Sequence, residues 1–142
     1  MAQISTHVAY NGNCEEAFLF YKSIFGGEFN NLMRNQDLPQ DVPATPGTIP
    51  SQILHISLPL GNGCALMGCD MPPAYGIATS GNRFNISIST SSEAETEHIY
   101  NGLLAGGKVA MPLEHTFWGA YFGMVVDKYE VQWMVTYDAP TI

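Results

Sequence analysis

Residues 13–29 read NCEEAFLFYKSIFGGEF, and residues 92–109 read SEAETEHIYNGLLAGGKV. Both open on a small polar residue and an acidic first turn, pass through an amphipathic stretch and stop at Gly-Gly. In the first copy Asn13 stands where a side-chain oxygen accepts from the first free helical N–H groups. Glu16 stands where a capping-box carboxylate reaches back. Ala17, Phe18, Tyr21, Ile24 and Phe25 form an apolar helical stripe, and Gly26-Gly27 takes the left-handed backbone that ends it. In the second copy Ser92 and Glu95 form the same box. The helix there runs to Ala105 and stops at Gly106-Gly107, 80 positions after the first pair.

Strand patterns surround both helices. Ile4 to Tyr10 alternates and is rich in β formers, and Glu28 to Arg34 reads as the next strand. Residues 35–50 hold four prolines and two aspartates, a loop long enough to be a flap or a dimer arm. Gln52 to Leu60 and Cys64 to Cys69 read as strands joined across Gly61-Asn62-Gly63, since Asn-Gly is a strong hairpin signal. Residues 71–82 link the halves. Arg83 to Thr90, Lys108 to Met111, Phe117 to Val126 and Val131 to Tyr137 read as the second set of strands, with Pro112 to Thr116 a loop. Each half is therefore β-α-β-β-β. The fold class is α+β, a single domain built of a first module (1–70), a linker (71–82) and a second module (83–138).

Composition narrows the function. The 142 residues carry a net charge of −8, with five Lys and Arg against thirteen Asp and Glu. No basic stripe exists for phosphates, so nucleic acid is not an expected partner, nor is an anionic membrane surface. No signal peptide or apolar run of spanning length is visible. Only 13% of residues are charged, which suggests that a partner covers some apolar surface and makes a homodimer the expected assembly. Cys14, Cys64 and Cys69 are odd in number and fit no metal ribbon. They read as reduced thiols of a cytoplasmic protein.

Alternation sorts the strand residues. Leu54, Ile56 and Leu58 should pack under a helix, leaving His55 and Ser57 on the opposite face. Phe84, Ile86 and Ile88 should pack inward, leaving Asn85, Ser87 and Ser89 outward. On the first strand His7 shares its face with Ser5 and Ala9. On the last, Val131, Trp133 and Val135 alternate with Gln132 and Met134. A polar face that curls into a cleft is a default binding site.

Three segments carry a resemblance. They are N-G-N-C-E-E-A-F-x-F-Y-K-x-I-F-G-G-E (11–28), G-G-K-V-x-M-P-L (106–113) and T-F-W-G-A-x-F-G-M-V-x-D-x-x-x-V-Q-W-M (116–134). Together they resemble the PhnB-like branch of the vicinal oxygen chelate superfamily, which includes glyoxalase I, bleomycin-resistance proteins and extradiol dioxygenases. The resemblance implies paired βαβββ modules, curved mixed sheets around a cleft and a homodimer. Members of the branch are labelled glyoxalase or demethylubiquinone methyltransferase.

Catalytic members of that superfamily hold a divalent metal with His and Glu. Carried onto this chain, the first ligand position falls on Thr6, or on His7 one residue on, and the next near His55. The third falls on Asn85, with Ser87 beside it, and the closing glutamate on Met134, next to Gln132. That set offers imidazole but no carboxylate, a poor donor set for a hard divalent ion. The expected pocket is therefore His7, His55, Ser57, Asn85, Ser87, Trp118, Gln132 and Met134, taking a small molecule with no cofactor. The alternative is a metal-dependent lyase or dioxygenase-type enzyme using His7 and His55 on a divalent metal. Phe117 and Trp118 either fill the core or stack on a planar ligand. His98 reads as solvent-facing, His115 as a loop residue able to close over a ligand, and Cys14 as structural.

Overall fold

The computed structural model describes residues 2–139. The chain divides into two compact units, one ending at Thr79 and one beginning at Ser80. The boundary falls inside the 71–82 linker.

In the first unit the order is β1 (Thr6–Tyr10), α1 (Cys14–Phe25), β2 (Asn30–Arg34), β3 (Ile53–Gly61) and β4 (Cys64–Asp70). The second unit repeats it with β5 (Ile86–Ser89), α2 (Glu93–Leu104), β6 (Lys108–His115), β7 (Ala120–Val126) and β8 (Gln132–Asp138). The two sheets share one topology, β1-β4-β3-β2 and β5-β8-β7-β6. In each, the first strand pairs in parallel with the last and the other pairs are antiparallel. The duplication read from the helices thus extends to every strand, and the α+β fold of two βαβββ modules stands.

Each helix lies on one face of its own sheet, against a strand glycine. A Cβ on Gly68 would sit 2.6 Å from the Phe18 ring, and one on Gly123 would sit 2.6 Å from the Tyr100 ring. Phe18, Tyr21, Ile56, Leu58 and Leu66 seal the first core, and Leu103, Val125, Trp133 and Val135 the second. Asn62 and Gly63 both have positive φ, 54° and 75°, as the tight turn between β3 and β4 requires.

The helix caps differ between the copies. Ser92 Oγ accepts from the Glu95 N–H at 3.0 Å, while the Glu95 carboxylate reaches back to the N–H of Ser91 rather than of Ser92. Asn13 makes no side-chain cap. The carboxylate of Asp70, at the end of β4, replaces it: Oδ1 accepts from the Cys14 N–H at 2.9 Å and Oδ2 from the Ile53 N–H at 2.8 Å. An ionised oxygen from a neighbouring strand is a stronger acceptor than a local amide, and it ties α1, β3 and β4 together. In the second unit buried Asp127 accepts from the N–H groups of Tyr129 and Val131 and from the Trp133 indole.

Several strand ends depart from expectation. β1 starts at Thr6, not Ile4. β5 starts at Ile86, so Arg83 to Asn85 precede it, and Phe84 is 82% exposed rather than core. β6 continues through Pro112 to His115 where a loop was expected, because an edge strand with shifted register tolerates a missing N–H. Loop 35–50 is present. Its neck is tied by the N–H groups of Asn35 and Gln36 to the carbonyls of Gln52 and Pro50. Among the described residues no helix is long and apolar enough to cross a membrane.

Replacing Asp70 by Ala leaves two buried N–H groups without acceptors, at about 1–3 kcal/mol each. Urea unfolding of Asp70→Ala is expected to show a loss of about 3 kcal/mol. Asp70→Asn should recover only part of it, since its amide nitrogen cannot accept.

Candidate functional site

The helix-covered face of each sheet is known from the glycine contacts, so the other face follows from register. Residues directly opposite on paired strands share a face. In the first unit His7 pairs with Met67, and Met67 pairs with Ser57 on its other side. Met33 pairs with His55. These residues lie on the face away from α1, as alternation requires for His7, His55 and Ser57. Ser57 is buried, His55 half-buried and His7 exposed. The two imidazoles come from strands flanking β4, yet their ring centres are 6.3 Å apart and their planes within 19°.

In the second unit Ser87, Met134, Met124 and Met111 make one row across four strands. Ser89, Thr136, Phe122 and Glu114 make the next. Gln132 pairs with Val126 and Val126 with Lys108, beyond them. Gln132 also lines a depression of about 420 Å³ with Ser80, Gly106, Gly107, Lys108 and Lys128. Asn85 is half-buried just before β5.

Trp118 sits in the turn between β6 and β7, not on a strand. Phe117 is 98% exposed and Trp118 59%, so neither fills the core. The indole packs edge-on against Phe117 at 5.0 Å and Phe122 at 6.0 Å. Phe122 belongs to the open face, which brings Trp118 to its border.

Two histidines lie elsewhere. His115 is a strand residue whose Nε2 is 3.2 Å from a Glu93 oxygen and whose ring stacks on Tyr121 at 4.5 Å. It is pinned to the α2 side and does not close over the open face. His98 is exposed on α2 as expected. Cys14 is fully buried, and burial with the nearby Asp70 charge pushes its thiol well above the usual range, so it is inert.

Residue pattern alone singled out Met134 and overlooked the other methionines beside it. Five of the seven, Met33, Met67, Met111, Met124 and Met134, lie on the open faces. Met33 and Met111 are 40% and 42% exposed. The period-two spacing of Gln132-Trp133-Met134 carried part of this signal. The rest required knowing which strands are neighbours.

The divalent metal that the resemblance implies does not fit these donors. Among the described residues no group of three or more His, Cys, Asp or Glu side chains is arranged to hold a metal ion. The second-unit positions offer Asn85, Ser87 and Met134 instead of imidazole and carboxylate. A hard divalent ion wants oxygen and nitrogen donors with charge.

Desolvation of the ring, and then the His55 charge, hold the His7 imidazole below its ordinary 6.5. Between that lowered value and 6.5 the unfolded chain binds more protons than the folded one, so stability rises with pH there. His7's contribution is complete above 6.5 and is lost as pH falls through the lowered value. An imidazole NMR titration should show His7 titrating below 6.5 and moving back toward it in His55→Ala.

A family model described as 3-demethylubiquinone-9 3-methyltransferase matches residues 2–136. A crystal structure of protein PA1353 from Pseudomonas aeruginosa is 37% identical, with 97% of this chain and 98% of that one covered and a TM-score of 0.85. A putative 3-demethylubiquinone-9 3-methyltransferase, PhnB protein, from Bacillus cereus is 25% identical, over 96% and 99% of the chains, with a TM-score of 0.75. A glyoxalase/bleomycin resistance protein from Albidiferax ferrireducens shares the fold at 14% identity, over 96% and 100%, with a TM-score of 0.62. With the match spanning nearly its whole length, this chain belongs to the PhnB-like 3-demethylubiquinone-9 3-methyltransferase domain family, on the glyoxalase/bleomycin-resistance fold.

Proposed function

We propose that this protein is a small-molecule-binding member of its family that takes a planar, apolar ligand on its open sheet faces without the superfamily's divalent metal. The observation that carries this reading is the methionine row Met134–Met124–Met111, with Met33 and Met67 on the other sheet. Thioether side chains are flexible and polarisable, so they mould to varied apolar shapes and favour aromatic rings. Surfaces built this way serve binding across a range of related ligands. On the second sheet Ser87 and Gln132 add polar groups able to orient a ligand, and Trp118 offers a stacking plane; on the first sheet Ser57 is the corresponding polar group. The net charge of −8 favours a neutral or cationic ligand over an anion.

A second reading has one observation in its favour. The convergence of His7 and His55 suits a lyase or dioxygenase-type enzyme in which the pair handles a proton or holds a metal. Methyl transfer, the activity in the family's description, gains no comparable support. No G-x-G-x-x-G turn for a nucleotide-type methyl donor occurs in the sequence.

The test uses chelator-treated protein and a fused-ring cationic dye such as proflavine, read by tryptophan fluorescence. Saturable quenching at micromolar dye is expected. Trp118→Ala should weaken binding by about 2–10-fold, the range of one stacking contact, and Met134→Ser should weaken it similarly. Absence of saturable binding would sink the proposal. Binding that appears only after a divalent ion is added would favour the enzyme.

A further inference from the structure

Three Asn-Gly pairs occur in the chain: Asn11-Gly12, Asn62-Gly63 and Asn101-Gly102. In such a pair the glycine nitrogen can attack the carboxamide of the preceding side chain, and with no Cβ on the glycine nothing shields that nitrogen. The structure treats the three pairs differently. The Asn11 carboxamide is held at both ends by Ala78: Nδ2 donates to the Ala78 carbonyl at 2.9 Å, and Oδ1 accepts from the Ala78 N–H at 2.8 Å. Asn101-Gly102 lies within α2, where the Gly102 N–H belongs to the helical ladder. Asn62-Gly63 forms the two-residue turn between β3 and β4. Gly61 and Cys64 close that turn, so the Gly63 N–H lies outside the sheet ladder. Both turn residues are exposed. Among the described residues nothing hydrogen-bonds the Asn62 carboxamide; only its main-chain carbonyl meets the Cys64 thiol, at 3.8 Å. The β3–β4 register shifts between Pro59 and Gly61, which leaves the tip with few regular rungs and a low cost of local opening.

We infer that Asn62 is a site of spontaneous deamidation and isoaspartate formation in the folded protein, and that Asn11 and Asn101 are protected from it. The Gly63 nitrogen bonds to Cγ of Asn62, and the Cγ–Nδ2 bond breaks. The proton from the Gly63 nitrogen leaves with Nδ2 as ammonia, and a succinimide ring remains. Water then opens the ring. Attack at the side-chain carbonyl gives aspartate; attack at the main-chain carbonyl gives isoaspartate, in which the backbone runs through Cβ and Cγ. The sum is asparagine plus water to acid plus ammonia, with no oxidant and no cofactor. Each converted chain carries one more negative charge than the −8 of the sequence. Isoaspartate also lengthens by one backbone atom a turn built on left-handed φ values of 54° and 75°, a geometry that fits two residues and no more. This site is independent of what the open faces bind.

The experiment ages the full chain in mildly alkaline buffer, once folded and once in urea. Each Asn-Gly pair is followed by peptide mapping with electron-transfer fragmentation, which separates isoaspartate from aspartate. In the folded chain Asn62 is expected to convert at least roughly tenfold faster than Asn11 or Asn101, whose attack requires local unfolding first. In urea the three should agree within about threefold, because there the shared dipeptide alone sets the rate. Asn62→Gly suits the left-handed backbone and should abolish the acidic species that ion exchange resolves in aged folded protein. The inference is overturned if Asn62 keeps its amide in the folded chain for as long as full conversion takes in urea. It is equally overturned if Asn11 or Asn101 converts as fast as Asn62 in the folded chain, or if the acidic species persists undiminished in Asn62→Gly.

Discussion

Everything else in each module depends on an aromatic ring lying on a strand glycine. Phe18 rests where Gly68 has no side chain, and Tyr100 where Gly123 has none. The missing Cβ lets the helix approach the sheet closely and sets which face it covers. Because strand side chains alternate wherever the register is regular, that one contact sorts the residues of β1, β3, β4, β5, β7 and β8 into a covered and an open face. The edge strands β2 and β6 shift register and are placed by their pairing. One helix covers only one face of a four-stranded sheet, so the other face has no helix of its own unit packed on it. The open face is thus a consequence of the module, and its residues are free to be chosen for something other than packing.

Two buried carboxylates hold this arrangement at its ends. Asp70 joins the start of α1 to the start of β3, and Asp127 closes the turn before β8 while gripping the Trp133 indole. Charged acceptors make hydrogen bonds roughly twice as strong as neutral ones. Asp70 is shared between two donors from distant parts of the chain, and Asp127 among three donors within the six residues that follow it. The donors are backbone N–H groups and one indole, so these acids are structural.

The chemistry of the open faces departs from what the superfamily's metal requires. Where charged oxygen donors would stand, this chain places methionine, serine and asparagine, with two imidazoles confined to the first sheet. Such a surface is adaptable and weakly polar. It suits recognition of shape and polarisability more than the fixation of a hard ion.

The helices, the succession of strands along the chain and the duplication were readable because they rest on local signals: the amphipathic stripes, the Gly-Gly stops and the period-two patterns. The facing of His55, Ser57 and Ser87 followed from the same alternation. Asp70 as the cap of α1 was not readable, since its acceptor comes from 56 residues away and Asn13 looked sufficient. Phe84 and Phe117 look like core by hydrophobicity, yet they lie just outside strand ends. The methionine row exists only because β5, β8, β7 and β6 are neighbours in that order. Local periodicity decided what each residue's face would be. Only the pairing of distant strands decided which residues would share it.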